Sequence, residues 1–538
     1  MKVMSMLRGL ASMPVIIDSG SVSGVDRPNA TRAFYGIPYA APPIGELRWR
    51  PPQPPQRWEG VRSGDSYGPA CIQPPPPKAS LYSTVDAEFS EDCLYLNVFT
   101  GPENSTDRPV LVWFHYGAFV FGSGAHPMED GARLANEGIT VVTVNFRVGR
   151  FGFLALPELS AESGYQSSGN YGIMDQIAAL QWVQRNIKTF GGDPGNVTIG
   201  GASSGGASVT LLRTSPLAKG LFTKGICESG PGLAPALDGP GHIATYMTLT
   251  AAEEAGTEVL NALGASSLAE LRQIPSDKIL AVTLPRTEGI WKSYLRENTT
   301  SLSVYDTQNP IIDGYVIPQT PAEAFISGQA ADIPILAGAA GDDGTALPRL
   351  YTLTKYQSFL QETFGKQADE ALRLYPAPTD AEVNISSWKL LADQVFRWPT
   401  WTSARLQYKY MKSPVWYYDF LRAPPIPASS NLVEKDFAGA FHLVGMLYGL
   451  GNLDAWDWDW TDADWSLSRN MMRTWVNFMR TGSPNDGTQG ANSPWPALNA
   501  TSELVQIWDG AGDTRPEQPA KHAREVTAFW DKYYGYNI

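Results

Sequence analysis

The sequence predicts an α/β fold in which helices flank a large, mostly parallel central sheet. Short apolar and β-branched runs bounded by turn residues recur along the chain, and helical patterns separate several of them. These runs occupy residues 110–114, 139–144, 197–199, 333–338 and 415–420. Because a parallel strand pair needs a long crossover connection, usually a helix, this alternation favours a doubly wound sheet.

The elements between these runs follow from the same kind of pattern. From about Gly172 to Lys188, apolar residues recur at three- and four-residue spacing, which predicts an amphipathic helix. The Gly-Gly-Asp-Pro segment at 191–194 predicts a break before the strand at 197–199. Residues 240–330 have more helical than strand patterns, and we predict that they form an insertion over the sheet.

Composition and charge exclude several classes of protein. With 538 residues, 43% of them hydrophobic and 18% charged, the chain has enough apolar side chains for a large core. Its net charge of -13 disfavours nucleic acid as a partner. No apolar stretch reaches the roughly 18 residues that a membrane-spanning helix needs, so we predict no transmembrane segment. Length alone suggests two or three domains.

The strongest candidate for chemistry is Ser203. Residues 201–205 are Gly-Ala-Ser-Ser-Gly, directly after the predicted strand 197–199 and before the small residues 206–208. A strand, a sharp turn and a helix form the context of a nucleophile elbow, in which glycines flank an exposed serine. The alternative is a Gly- and Ser-rich loop without chemistry.

A second segment supplies the groups that a developing oxyanion needs. Residues 115–119 are His-Tyr-Gly-Ala-Phe and follow a core strand, a setting in which backbone N–H groups approach a reacting carbonyl. We predict Gly117 and Ala118 as oxyanion-hole donors, with the N–H of Ser204 as the third. The alternative is an ordinary turn that ends the strand.

A serine nucleophile needs a base, and the five histidines of the chain allow a choice by elimination. We predict His442, which follows the predicted strand 415–420 in a loop of small and apolar residues. Imidazole exchanges a proton at neutral pH because its pKa is about 6.5. A buried structural histidine is the alternative. Of the other four, His115 lies in the predicted oxyanion loop and His126 just after it. His242 follows a Gly/Pro turn, and His522 lies in a charged segment.

The acid of a triad is expected between the serine and the histidine along the chain. Residues 341–344 are Gly-Asp-Asp-Gly and follow the predicted strand 333–338. Asp342 and Asp343 are therefore both candidates to orient the imidazole. An Asx turn is the alternative for either residue, and the pattern does not choose between them.

Three cysteines leave one without an internal partner. Cys71 and Cys93 flank a polar, proline-rich stretch and are predicted to pair; three reduced thiols in a cytosolic protein are the alternative. Asn-x-Ser/Thr sequons favour glycosylation and the secretory pathway, although the N-terminus is a poor signal peptide. The compartment stays open. The sequons are at Asn29, Asn104, Asn298, Asn384 and Asn499, and one at Asn196 is discounted because it leads into a predicted strand.

Four segments together resemble the type-B carboxylesterase/cholinesterase family of α/β-hydrolases, and its fungal esterases and lipases look most similar. The segments are 90–98 (SEDCLYLNV), 145–149 (NFRVG), 169–176 (GNYGIMDQ) and 475–485 (WVNFMRTGSPN). The resemblance covers nearly the whole chain. It implies an α/β-hydrolase fold with helical insertions over the active site, and one catalytic domain across residues 1–538 in place of two or three.

The resemblance also has implications for the site. Because the family's acid is the second of two acidic residues before a glycine, Asp343 is preferred over Asp342. The family links a cysteine of the first segment to one upstream, which supports the pair Cys71 and Cys93. The implied activity is hydrolysis of a small-molecule ester by the serine, histidine and aspartate, without a cofactor or a metal. The oligomeric state is not predicted.

The chain departs from the family pattern beside the predicted triad. The family usually has glutamate before the nucleophile and an acidic residue three positions after the catalytic histidine, where this chain has Ala202 and Gly445. We therefore predict an apolar pocket suited to a bulky uncharged group. Tyr116 replaces the usual glycine and narrows the oxyanion loop. No tryptophan between positions 71 and 93 is available to stack on choline, so a neutral, medium-sized ester is the expected substrate.

Three functions compete at this point. The leading one is ester hydrolysis through an acyl-enzyme. A second keeps the acyl-enzyme but passes the acyl group to an alcohol, or closes a lactone, in a biosynthetic pathway, as a dry site would favour. The third is a catalytically inactive adhesion protein, against which the retained serine, histidine and aspartate argue.

Overall fold

The structure is a computed structural model. It describes residues 13–75, 79–83, 88–102, 106–230, 232–233, 236–237, 246–282, 309–347, 350, 352–485, 494–510 and 515–538. His242 and the sequons at Asn104 and Asn298 lie outside these residues. No helix among the described residues has the length and apolar character to cross a membrane.

The strands of the described residues are numbered in chain order. They are β1 Val15–Ile17, β2 Gly20–Ser23, β3 Val25–Asp26, β4 Arg32–Pro38, β5 Val61–Ser63, β6 Ala70–Cys71, β7 Phe89–Ser90, β8 Tyr95–Thr100, β9 Arg108–Phe114, β10 Thr140–Val144, β11 Gly192–Ala202, β12 Lys224–Glu228, β13 Ala236–Leu237, β14 Tyr246–Thr248, β15 Ile311–Ile312, β16 Ile335–Ala340, β17 Val415–Phe420, β18 Val505–Trp508 and β19 Arg515–Glu517.

Helices of several lengths connect these strands. The α-helices are Ala132–Asn136, Gly149–Phe153, Pro157–Glu162, Tyr171–Asn186, Ser204–Thr214, Leu249–Ala262, Leu268–Gln273, Ser276–Ala281, Pro321–Ile326, Leu353–Phe364, Ala368–Leu374, Asp380–Ala392, Trp398–Tyr410, Val444–Gly449, Asp462–Thr481 and Lys521–Tyr534. One π-helix, Asp393–Arg397, joins two of them. Short 3-10 helices are Pro28–Ala30, Gly45–Leu47, Pro127–Glu129, Ile187–Phe190, Pro216–Ala218, Asp343–Ala346, Gly365–Gln367 and Leu453–Ala455.

An eleven-stranded sheet dominates the described part of the chain, in the order β19-β18-β17-β16-β12-β11-β9-β10-β8-β4-β3. The strands from β10 to β18 along this order pair in parallel. Only the two margins are antiparallel, with β8, β4 and β3 at one end and β19 at the other. The predicted α/β class with a large, mostly parallel sheet is confirmed.

The central strands are buried on both faces, as their continuous apolar sequence predicts. Along β9, Val110, Val112 and Phe114 belong to one hydrophobic cluster. The intervening Leu111 and Trp113 belong to another cluster on the opposite face, because successive side chains of a strand point to opposite sides. Two apolar layers therefore hold the sheet, and the polar site residues come after the strands end.

The predicted elements are largely found where they were expected, and the main difference is at β11. The helix spans Tyr171–Asn186, continues as the 3-10 helix Ile187–Phe190, and ends at Gly191, whose φ is 81°. The Gly-Asp-Pro segment after it belongs to β11 and is not part of a break. Gly192 pairs with Arg108 of β9, and a register shift before Val197 accommodates the segment.

The region 240–330 is mainly helical where the structure describes it. Four of the α-helices lie there, together with β14 and β15, which form a small separate sheet with β13. Residues 240–245 and 283–308 of the predicted insertion lie outside the described residues. One anchor of the region is Asn170, whose side-chain amide donates to the Ile311 carbonyl at 2.9 Å and accepts from the Ile311 N–H at 3.1 Å.

Candidate active site

The predicted site residues follow the carboxyl ends of neighbouring parallel strands. Residues 115–119 follow β9, Ser203 follows β11, and Asp343 comes shortly after β16. The loop with His442 comes after β17. Because these strands are parallel neighbours, their carboxyl ends meet at one edge of the sheet, where α/β proteins bind ligands.

Ser203 lies in a strained turn between β11 and the helix Ser204–Thr214. Its φ of 57° and ψ of -123° are unusual for a residue with a side chain. A Cβ at Gly201 would lie 2.6 Å from Gly205 Cα, and one at Gly205 would lie 2.9 Å from the carbonyl carbon of Phe114. Only glycine fits at both flanking positions, so the sequence forces the chain into a sharp elbow with the serine at its tip.

The loop after β9 is equally constrained. Gly117 has a φ of 124°, and a Cβ there would lie 2.7 Å from the carbonyl carbon of Phe121. Ala118 and Phe119 also have positive φ values, of 55° and 61°. The N–H groups of Gly117, Ala118 and Ser204 donate no hydrogen bond to any residue that the structure describes. These three N–H groups are therefore unpaired among the described residues, and unpaired backbone donors are what an oxyanion hole requires.

The structure brings Asp343 to His442. His442 Nδ1 lies 2.7 Å from Asp343 Oδ1, and both side chains are almost fully buried. Since a carboxylate only accepts, Nδ1 carries the proton and Nε2 is left as the basic nitrogen. The second carboxylate oxygen, Oδ2, accepts from Ser229 Oγ at 2.9 Å and from the Ala340 N–H at 3.1 Å. These bonds fix the carboxylate, which in turn fixes the imidazole.

Asp342 has a different position and holds the histidine loop. Its Oδ2 accepts from the Ala440 N–H at 2.8 Å, and its own N–H donates to the Ala440 carbonyl at 2.9 Å. A Cβ at Gly439, whose φ is 54°, would lie 2.7 Å from Asp342 Cγ. The two neighbouring aspartates thus have separate contacts: one meets the imidazole, and the other fastens the segment that carries it.

Aromatic side chains hold the His442 ring in place. The Phe396 ring lies 4.1 Å from it between centroids, and the Tyr82 ring lies 6.2 Å away. His442 Nε2 is buried and has no hydrogen-bond partner among the described residues, so no bond from Ser203 reaches it in this structure. Catalytic hydrogen bonds of this kind often form only when substrate is bound.

Of the other described histidines, two are buried and one is exposed. His115 and His126 are buried, and desolvation lowers the pKa of each to about 4, so both are neutral at pH 7. His126 Nε2 contacts the Ser83 carbonyl at 3.1 Å. His522 lies in the exposed first turn of the last helix.

The predicted disulfide is present and its loop reaches the histidine. Cys71 and Cys93 are bonded, with their Cα atoms 5.0 Å apart, and Cys227 is a buried free thiol. Within the loop, the Tyr82 hydroxyl lies 3.0 Å from Thr345 Oγ1. Glu434 anchors the same loop by accepting from Ser80 Oγ at 2.6 Å.

The prediction of apolar surroundings is wrong at Gly445, and Ala202 differs from it. Ala202 is fully buried within a hydrophobic cluster. At Gly445, however, the carboxyl group of Glu228 lies against the backbone, so that a Cβ on Gly445 would be 2.9 Å from Glu228 Cδ. A carboxyl group from β12 therefore fills the space that the missing side chain leaves.

Sequence reasoning missed Ser229, Glu228 and Phe396. The first two stand at the carboxyl end of β12, next to the strand ends that carry the predicted residues, and this position is the signal that could have found them. Phe396 lies in the π-helix Asp393–Arg397, and the sequence has no comparable signal for it. The described residues contain no group of three or more His, Cys, Asp or Glu side chains that could hold a metal ion.

The chain is similar to known esterases along most of its length. The family model described as "Carboxylesterase family" matches residues 12–515. The fumonisin B1 esterase of Sphingopyxis macrogoltabida is 36% identical over 94% of this chain and 88% of its own length. The para-nitrobenzyl esterase of Bacillus subtilis (strain 168) is 33% identical over 91% of this chain and 93% of its own length. For the liver carboxylesterase of Sus scrofa the values are 32%, 97% and 94%.

A solved structure titled PNB esterase has a TM-score of 0.77 to this chain at 32% identity, covering 96% of this chain and 99% of the other. The central sheet therefore has the α/β-hydrolase fold that the motifs predicted. The matched length and the identity to several esterases agree with the same assignment. The chain belongs to the type-B carboxylesterase/cholinesterase family and is a carboxylic ester hydrolase.

Proposed function

We propose that the chain hydrolyses neutral, medium-sized esters through a Ser203–His442–Asp343 triad and an acyl-enzyme. The observation that carries the proposal is the 2.7 Å contact between Asp343 Oδ1 and His442 Nδ1, which leaves Nε2 basic. We also propose that residues 1–538 form one catalytic domain, in keeping with the match of the family model to residues 12–515.

Each step of the proposed reaction uses a named group. Ser203 Oγ attacks the ester carbonyl while His442 Nε2 takes its proton, and Asp343 stabilises the imidazolium that forms. The N–H groups of Gly117, Ala118 and Ser204 bind the oxyanion. The imidazolium then gives its proton to the departing alcohol, and water repeats the sequence on the acyl-enzyme to release the acid.

The preference for a neutral ester rests on the side chains around the histidine. Phe396 and Tyr82 present rings to His442, and Tyr116, which is buried, adds a ring to the oxyanion loop. Aromatic walls of this kind favour apolar acyl or alcohol groups of moderate size. The names of the relatives, among them a para-nitrobenzyl esterase and a liver carboxylesterase, agree with ester hydrolysis.

Transfer of the acyl group to an alcohol now has less support than hydrolysis. That alternative depended on apolar surroundings at both Ala202 and Gly445. The Glu228 carboxyl group lies beside Gly445, so the surroundings there are not apolar. It remains an outcome of the test below.

The test combines covalent labelling with turnover of p-nitrophenyl esters of increasing acyl length. We expect a fluorophosphonate to label the wild type once, and the Ser203→Ala variant not at all. Ser215→Ala is the matched control, because Ser215 Oγ is buried without a hydrogen-bond partner among the described residues and should be dispensable. Activity should peak at intermediate acyl length. Labelling of Ser203→Ala would contradict the proposal, and a burst relieved only by added alcohol would indicate transfer.

A further inference from the structure

Glu228 lies between the candidate nucleophile and the candidate acid. Its backbone carbonyl accepts from the Ser203 N–H at 2.9 Å, and the next residue, Ser229, donates to Asp343. The Glu228 side chain is completely buried. One residue of β12 thus supports the elbow through its backbone and places an ionisable group behind the triad.

The Glu228 carboxyl group has few partners. Its Oε2 lies 3.3 Å from the Tyr418 hydroxyl, and its Oε1 has no hydrogen-bond partner among the described residues. The carboxyl group lies directly against Gly445, three residues after His442, with Oε1 nearest. No other residue could stand at position 445 without displacing it, because every other side chain begins with a Cβ.

Burial and a neighbouring negative charge favour the protonated, neutral form of Glu228. Burial, and then the charge of Asp343, raise the pKa of Glu228 to about 8, while the Met446 N–H and the Tyr418 hydroxyl lower it. The titratable groups near it on β12, β17 and the loop after β16 are Cys227, Tyr418 and Asp343.

Arg397, whose charge acts on Asp343, forms no ion pair with Glu228. Arg397 donates to the Ala340 carbonyl at 3.0 Å and to Asp419 Oδ1 at 3.4 Å. Its charge acts on Asp343 and on its own neighbours, Asp419 and Asp393. Glu228 therefore forms no ion pair with a cation among the described residues. Its negative charge is neutralised mainly when the carboxyl group binds a proton.

We propose that Glu228 is a positioning residue of the esterase site, whose gain or loss of a proton changes the number of negative charges beside Asp343 and so adjusts the basicity of His442. The proposal rests on the triad proposed above. When Glu228 is neutral, Asp343 alone faces the imidazole. When Glu228 is ionised, a second negative charge favours the imidazolium that forms during attack. Gly445 is the residue that gives this carboxyl group its place.

The test is the pH profile of kcat/KM for wild type and Glu228→Gln between pH 5.5 and 9.5. Fluorophosphonate titration sets the concentration of active sites, so that misfolded protein does not enter the comparison. We expect the two profiles to coincide below pH 7, where both side chains are neutral. Above pH 8 the kcat/KM of the wild type should rise to about five times that of the variant, because only the wild type acquires the extra negative charge.

Tyr418→Phe provides a second measurement in which Glu228 is retained. This change removes the hydroxyl that stabilises the ionised carboxylate, so the inflection assigned to Glu228 should move to higher pH. A constant ratio between wild type and Glu228→Gln at every pH would overturn the proposal, since a merely structural role predicts that result. An inflection unmoved in Tyr418→Phe would also count against it. Loss of wild-type labelling at Ser203 would instead contradict the triad itself.

Discussion

Replacing Gly445 with alanine tests the contact between Gly445 and the Glu228 carboxyl group, at a position where apolar surroundings were predicted. The new Cβ would lie 2.9 Å from Glu228 Cδ and closer still to Oε1. Ordinary contacts between carbon atoms are about 3.5–4.0 Å, so the carboxyl group would have to move by up to about 1 Å. The site is buried and closely packed, and overpacking of this kind destabilises by about 1–3 kcal/mol.

The expected change in melting temperature is small but measurable. An unfolding entropy of about 2.1 cal/mol/K per residue over 538 residues gives about 1 °C per kcal/mol. Gly445→Ala should therefore lower Tm by about 1–3 °C in differential scanning fluorimetry. Gly195→Ala is the matched control, since position 195 is exposed and the new Cβ would meet only the Asp193 side chain.

A double-mutant cycle connects the loss to Glu228. In a Glu228→Ala background no carboxyl group opposes the new methyl, so Gly445→Ala should cost less than about 0.5 kcal/mol. The coupling between the two positions should then account for most of the single-variant loss. An equal loss in both backgrounds would refute the reasoning, because the damage would then come from the helix backbone and not from the carboxyl group.

Three further predictions concern the triad, the disulfide and the buried acid. Asp343→Asn should lower kcat/KM by about 10⁴-fold at pH 7 while fluorophosphonate still labels slowly, because an amide no longer fixes the proton of His442 on Nδ1; a loss under tenfold would exclude this role. Cys93→Ser, which frees Cys71, should lower the free energy of unfolding by about 3 kcal/mol in urea titrations, and reductant should affect only the wild type. Glu228 in the folded protein has a pKa of about 8 against an ordinary 4.5, so the stability that its neutral form contributes is present below pH 4.5 and is lost as pH rises toward 8. Between pH 5 and 9, the free energy of unfolding of Glu228→Gln should therefore rise by about 2–4 kcal/mol relative to that of the wild type. A constant difference in Tm across this range would contradict the raised pKa of Glu228.

The sequence predicted best what depends on short stretches of chain. Buried parallel strands are continuous apolar runs, and β17 has the predicted bounds Val415–Phe420, where an apolar and aromatic run begins directly after Pro414. The elbow was predicted from two flanking glycines, and the structure has no space for a Cβ atom at either position. The start of β11 was not predictable, since it depends on the pairing of Gly192 with Arg108 of a distant strand.

The same distinction applies within the site. Local context and chain order predict Ser203 and His442 but leave Asp342 and Asp343 open. The family resemblance favours Asp343, and in the structure it is Asp343 that contacts His442. The two aspartates are chemically identical neighbours, and only the turn after β16 directs one toward the imidazole and the other toward Ala440.

Glu228 and Gly445 show why the immediate surroundings of the triad could not be predicted. Position by position, the chain lacks both acidic residues that the family usually has there, and an apolar pocket was the reasonable expectation. The structure, however, has a carboxyl group from a different strand in the space above a glycine. Since a carboxyl group cannot occupy that space beside any residue with a Cβ, the glycine and the glutamate are two parts of one arrangement. The absence of an acidic residue at position 445 is therefore what allows an acid from β12 to approach the site.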